Sequence, residues 1–104
     1  MAVRKQELIN IDEQTAADVA ELFRALGDTS RVRILAALVG GEINVSGLAE
    51  VVGISESAVS HQLRTLRLMR LVRSRKQGRE VFYGLDDDHV TDLFLQGLDH
   101  VLHG

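Results

Sequence analysis

The hydrophobic period of this chain changes twice, and those two changes restrict the possible folds more than any other feature. Up to Met69 apolar side chains recur three and four residues apart, from Leu71 they alternate, and from Asp87 the helical spacing returns. A chain patterned this way is mainly α with a small β-hairpin set before its last helix. Its 104 residues fit a single domain spanning 1–104 and leave no room for a second core.

Glycines and capping side chains divide the helical part. A first helix over about 12–26 carries the stripe Ala16, Val19, Ala20, Phe23 and Leu26, with Asp12 as N-cap and Gly27 as its stop. Asp28 caps a second helix with Val32, Ile34, Leu35, Leu38 and Val39 apolar, and Gly40 and Gly41 supply the positive φ that ends it. Glu42 to Asn44 is extended at most. A short third helix runs from Val45 or Ser46 to Val52 with Leu48, Ala49 and Val52 inward; Gly53 stops it and Ser55 caps a fourth. In the fourth, Ala58, Val59, Leu63, Leu66 and Met69 line one face, while Ser57, Ser60, His61, Arg64 and Arg67 line the other.

In the hairpin, residues 71–85, Val72, Ser74 and Lys76 face one way and Arg73, Arg75 and Gln77 the other, with the turn expected over Lys76-Gln77-Gly78-Arg79. The last helix, 87–103, places Val90, Leu93, Phe94, Leu98, Val101 and Leu102 on its apolar side and aspartates at its amino end, where they favour the macrodipole.

The formal net charge of −3 conceals a segregation. Residues 57 to 79 hold seven of the twelve bases, Arg64, Arg67, Arg70, Arg73, Arg75, Lys76 and Arg79, and no acid. This presents one positive surface on a negative body, which steers a polyanion. The absence of cysteine excludes disulfides, thiolate metal sites and cysteine nucleophiles, so any metal must be held by nitrogen and oxygen. No apolar run reaches the length of a membrane span, and the start MAVRKQELINIDEQ lacks the apolar core of a signal peptide, so a cytoplasmic location is expected.

Two short helices joined by Gly53-Ile54-Ser55, the second polar and basic outside, have the proportions of a helix-turn-helix over residues 45–69, and the basic hairpin after it makes a wing. Ser57, Ser60, His61 and Gln62 sit near the amino end of the fourth helix, the part that reads base edges in a major groove. Arg64, Arg67, Arg73, Arg75, Lys76 and Arg79 suit phosphate or minor-groove contacts, which set affinity and register. The competing structural reading is a solvated arginine face on a helical bundle. Catalysis finds no support: Ser57, Ser60 and His61 share one exposed helix, and no acid follows Ser60 until Glu80 to orient the histidine.

Leu26-Gly27-Asp28 with Arg31 and Ile34-Leu35, then Ser57-Ala58-Val59-Ser60-His61-Gln62-Leu63, then Leu71-Val72 leading to Lys76-Gln77-Gly78-Arg79, Tyr83 and Leu85, occur here in an order and spacing that resembles the ArsR/SmtB winged-helix repressors. The resemblance covers about Asp18 to His103. It implies a homodimer that binds double-stranded inverted-repeat operator DNA and is released by an inducer, commonly a metal. The soft-metal sensors of that family carry cysteines before the recognition helix, where this chain has Asn44-Val45-Ser46.

The last helix carries Asp87, His89, His100 and His103 in the pattern D-x-H-x(10)-H-x(2)-H, which resembles the carboxylate–histidine site of the zinc-sensing members. Eleven residues advance a helix by about 20° beyond three turns, so His89 and His100 share a face. A rise of ~1.5 Å per residue separates them by roughly 16 Å, too far to hold one ion. Two antiparallel copies of the helix would bring Asp87 and His89 of one chain to His100 and His103 of the other, a set of three nitrogens and one oxygen suited to tetrahedral Zn2+, or Co2+ in the same site. Asp86, Asp88, Asp92 and Asp99 are alternative carboxylates, and nickel would ask for more ligands than this set offers. The alternatives are a helix that is merely polar, with Asp87 only a cap, and a winged-helix regulator with a non-metal inducer or none.

Overall fold

The computed structural model describes residues 9–104, which form helices α1 (Glu13–Leu26), α2 (Thr29–Val39), α3 (Val45–Val52), α4 (Glu56–Leu68) and α5 (Asp88–His103) and strands β1 (Ile43–Asn44), β2 (Val72–Gln77) and β3 (Glu80–Leu85). Each helix begins with a side chain that accepts a hydrogen bond from the backbone N–H three residues on. Asp12 accepts from Thr15 (2.8 Å), Asp28 from Arg31 (3.0 Å), Asn44 from Gly47 (2.8 Å), Ser55 from Ala58 (3.0 Å) and Asp87 from Val90 (3.1 Å). These bonds satisfy donors that a helix amino end leaves orphaned, which is why the short polar residues mark the boundaries.

The core lies between α2, α3 and α4 and the base of the sheet. Ile34, Leu35 and Leu38 of α2, Leu48 and Val52 of α3, and Val59, Leu63 and Leu66 of α4 are buried together with Leu71 and Val72 where β2 begins. From α1 only Ala25 joins this cluster, and from α5 only Val90. The apolar stripes of α1 and α5 therefore remain largely at the surface of one chain.

The structure differs from the sequence expectation in three local features. Glu42 to Asn44 is more than a loose extended segment: Ile43 and Asn44 pair antiparallel with Tyr83 and Phe82, so the hairpin belongs to a three-stranded sheet of order β1-β3-β2. The hairpin ladder continues to Gln77 opposite Glu80, which places the turn at Gly78-Arg79, one residue later than expected, with Gly78 at φ +62°. At the end of α2 only Gly41 has positive φ (+134°), since Gly40 stays in the right-handed region at −77°.

Neighbouring positions on α3 separate packing from surface. Leu48 is fully buried, whereas Val51 is 62% exposed. Leu48→Ala is expected to cost about 2–5 kcal/mol in denaturant unfolding, and Val51→Ala no more than ~0.5 kcal/mol.

Candidate nucleic-acid interface and ligand helix

The recognition surface is built on α4. Gly53, in the left-handed region at φ +79°, turns the chain out of α3, and Ser55 starts α4 after a single intervening residue. A side chain at Gly53 would strain this turn, which fixes the angle between the two helices. Val59, Leu63 and Leu66 then face α2 and α3, and the remaining faces of α4 follow from the helical period. Ser57, Ser60, His61, Arg64 and Arg67 are exposed. Ser60, Arg64, Arg67 and Leu68 form one wall of an open groove of about 480 Å³ whose other wall is Tyr83 of β3, so the inner face of the wing looks onto the basic side of α4.

Gln62 differs from its neighbours. It is half-buried, and its side-chain oxygen accepts a hydrogen bond from Arg31 Nη1 (3.3 Å). The same guanidinium donates from Nη2 to the carbonyl of Arg24 (3.1 Å) and from Nε to that of Ala25. Arg31 thereby binds the carbonyl of Ala25 and adds a second donor to that of Arg24, which also accepts from the Gly27 N–H (3.1 Å), at the carboxyl end of α1, while holding a side chain of α4. In the sequence Arg31 stands out only as part of the family-like motif; its reach across 31 positions is a tertiary fact.

On the wing the cations divide into two groups. Lys76 and Arg79 lie at the tip, exposed, with no ion-pair partner among the described residues. Arg73 and Arg75 both bind Glu42: Arg73 Nη1 donates to Oε2 (2.9 Å), and Arg75 Nε and Nη2 donate to Oε1 (2.8 Å each). Hydrogen bonds from Arg75 and then Arg73 hold the Glu42 carboxyl below the usual carboxylate range. Glu42 carries no helical or strand pattern of its own, and its role became visible only with β1 paired to β3. Asn44 is a second such residue: its Oδ1 caps α3 while its Nδ2 donates to Glu80 Oε1 (3.0 Å) at the start of β3.

On α5 the four ligand candidates fall into two pairs. Asp87 uses Oδ1 for the cap and turns Oδ2 to within 3.6 Å of His89 Nδ1. His100 and His103 stand one turn apart in the last turn of the helix, exposed to solvent. Among the described residues no three histidine, aspartate or glutamate side chains converge within one chain, so the two pairs stay at opposite ends of α5. Beside them runs an open apolar groove of about 370 Å³, walled by Phe23 and Leu26 of α1 and by Leu93, Phe94, Leu98 and Val101 of α5. No helix among the described residues is long and apolar enough to cross a membrane.

Comparison with known proteins agrees with this geometry. A transcriptional repressor SmtB homolog of Synechocystis sp. is 47% identical over 95 residues, covering 91% of this chain and 70% of that protein. The HTH-type transcriptional regulator NmtR of Mycobacterium tuberculosis is 44% identical over 93 residues, 89% of this chain and 78% of that one. A solution structure of apo-NmtR superposes with a TM-score of 0.78 at 40% identity, covering 100% of this chain and 87% of that chain. The homodimeric winged helix-turn-helix DNA-binding domain of Mb0332 from Mycobacterium bovis superposes at 0.77 with 28% identity, covering 92% and 93%. Residues 28–74, from the cap of α2 to the middle of β2, match the model for bacterial regulatory proteins of the arsR family. With the capped helix pair, the wing and relatives matched over about nine tenths of this chain in agreement, the chain belongs to the arsR family of bacterial regulatory proteins.

Proposed function

We propose that this chain is a transcriptional repressor that binds inverted-repeat operator DNA as a homodimer and leaves it when zinc, or cobalt in the same site, binds between the α5 helices of the two subunits. The observation that carries the DNA-binding part is α4 itself: three fully packed apolar residues behind an exposed Ser57, Ser60, His61, Arg64, Arg67 face. A helix anchored this firmly holds its outer side chains in a fixed array, as direct readout of base edges demands. Ser57, Ser60 and His61, near its amino end, are assigned to bases, with Gln62 oriented beside them by Arg31. Arg64, Arg67, Lys76 and Arg79 are assigned to phosphates.

Dimerisation rests on the groove between α1 and α5. Phe23 is 57% and Val101 81% exposed, and the apolar stripes that hold them are continuous on both helices. A second copy of the same face would cover them across a two-fold axis. At about 100° per residue the histidines of α5 project along the flank of this stripe, next to Leu93, so a two-fold pairing of the helices carries the two donor pairs to its edge.

The donors fit a tetrahedral ion. Asp87 keeps one carboxylate oxygen beside His89 after capping the helix, and the imidazoles of His89, His100 and His103 are unburied and bonded to no other side chain among the described residues. Bound there, the metal would cross-link the two α5 helices through three nitrogens and one oxygen. Because the chain has no cysteine, thiolate binding of softer ions is excluded. The ligands lie away from α4, so their effect on DNA is a coupling: the stance of α5 against its mate sets the separation of the two recognition helices, and a stance that misfits two successive major grooves lowers affinity. A coupling of ~1–3 kcal/mol, the common allosteric range, changes affinity by about fivefold to 150-fold.

Removing Lys76 or Arg79 is expected to weaken binding to all DNA sequences and to flatten the salt dependence, by about 0.9 in the log–log slope for each phosphate left unneutralised. Ser57→Ala or His61→Ala should instead erode discrimination between operator variants, each base contact being worth ~1–3 kcal/mol. Titrations of operator and random duplexes over a range of salt separate the two classes.

Metal analysis is expected to show two ions per dimer. In a heterodimer of one His89→Ala chain and one His100→Ala chain both losses fall in the same site, so one intact site should remain; two equally weakened sites would mean that ligands come from a single chain. The His100→Ala homodimer is expected to bind operator as tightly as the parent and to stay bound when zinc is added. Operator affinity measured with and without zinc at fixed salt decides this, and an unchanged or tighter parent complex in zinc would refute derepression.

A further inference from the structure

The link between Glu42 and two wing arginines is built across the whole sheet. Ile43 pairs with Tyr83, so Glu42, one residue earlier, stands beside Gly84 of the central strand; Arg73 of β2 pairs with Gly84 from the other side. The carboxylate and guanidinium meet over a position that has no side chain. A Cβ at Gly84 would lie 2.8 Å from Arg73 Nη1 and 3.3 Å from Glu42 Cγ, so glycine is what leaves room for the pair. Arg75 is fixed more completely. Nε and Nη2 bind Glu42, Nη1 donates to Gln77 Oε1 (2.8 Å), and the guanidinium rests 5.4 Å from the centre of the Phe82 ring.

This arrangement is not needed to make the wing. β2 and β3 are joined by a six-pair register and a glycine turn of their own, while Glu42 lies outside both strands. Its effect falls on charge. Of the four wing cations, Arg73 and Arg75 are compensated by one acid, and the tip cations Lys76 and Arg79 are left for solvent.

Resting on the reading of this surface as a DNA interface, we infer that Glu42 is a specificity-determining residue: by holding Arg73 and Arg75 away from phosphates it lowers the sequence-independent attraction to DNA while leaving base readout by α4 unchanged. Phosphate neutralisation raises affinity for every duplex alike, so withholding two cations raises the ratio of operator to bulk binding. The lowered pKa of Glu42 agrees with this, since the hydrogen bonds from Arg75 and then Arg73 that cause it favour the charged carboxylate.

The test uses the full chain and a random-sequence duplex, with affinity measured by fluorescence anisotropy at several salt concentrations. Glu42→Gln keeps the shape and removes the charge; it should bind several-fold tighter, with a log–log salt slope steeper by up to ~1.8, about 0.9 for each released cation. Gly84→Ala, whose added Cβ would lie 2.8 Å from Arg73 Nη1 and press less closely on Glu42 Cγ at 3.3 Å, loosens the pair without removing the carboxylate; it should give a smaller change of the same sign and guards against a folding defect in the first variant. The double substitution Arg73→Ala, Arg75→Ala should change the parent little but abolish the gain in the Glu42→Gln background. The inference is overturned by an unchanged or shallower slope in both Glu42→Gln and Gly84→Ala, or by an arginine double variant that weakens the parent as much as it weakens Glu42→Gln. Failure of the parent to bind any duplex at low salt would instead refute the DNA-interface reading on which the inference rests.

Discussion

Everything on the polar surface of this protein depends on the packing of Val59, Leu63 and Leu66 into the crevice between α2 and α3. A chain of this size has one core, and α4 must both complete that core and present chemistry to the outside. The helical period reconciles the two demands, because residues three and four apart share the buried face while Ser57, Ser60, His61, Arg64 and Arg67 are turned outward. Burial also removes the freedom of the helix to roll, so the direction of Ser57, Ser60 and His61 is set by apolar side chains on the opposite side. The short turn through Gly53 and Ser55 completes the constraint by fixing where α4 begins.

A second layer, α1 with α5, is tied to the first by few buried residues and by one guanidinium. Arg31 binds the carbonyls of Arg24 and Ala25 near the end of α1 and the side chain of Gln62 midway along α4, so the helix that carries the uncovered apolar stripe and the helix that carries the basic face meet at the same group. The molecule is accordingly stretched, 50 × 32 × 21 Å, with a radius of gyration of 15.4 Å against roughly 13 Å for a compact chain of this length.

Much of this was legible in the sequence because the signals are local. Asp12, Asp28, Ser55 and Asp87 cap helices through bonds to residues three positions on, and Ile34, Leu35, Leu38, Leu48, Val52, Val59, Leu63 and Leu66 announce their burial through spacing alone. What escaped was non-local. Two residues of β1 are too few to show a period, and their partners lie some forty positions away. The wing turn slipped by one residue because Lys76 and Gln77 are both exposed, so no buried face fixes the register at the tip. Charge counting placed Arg73 and Arg75 with the other cations, since a sum over residues 57–79 does not reveal an acid at Glu42 that the sheet brings beside them. The stripe on α1 was readable, but Val19 and Phe23 find no cover among the described residues, a fact that spacing alone does not contain.

The two-residue strand β1 also determines how the molecule comes apart. By pairing with β3 it closes a loop that contains α3, the turn, α4 and β2, so the reading helix and the wing lie within one topological enclosure. Closing such a loop costs chain entropy that grows only slowly with its length, and the cost is recovered when the buried residues of α3 and α4 meet α2. The clasp and the core therefore form and dissolve together, and α4 has little opportunity to fray while the wing stays folded. Two backbone pairings of β1 thus help keep the recognition helix from local unfolding without taking up the side chains of α4 that face outward.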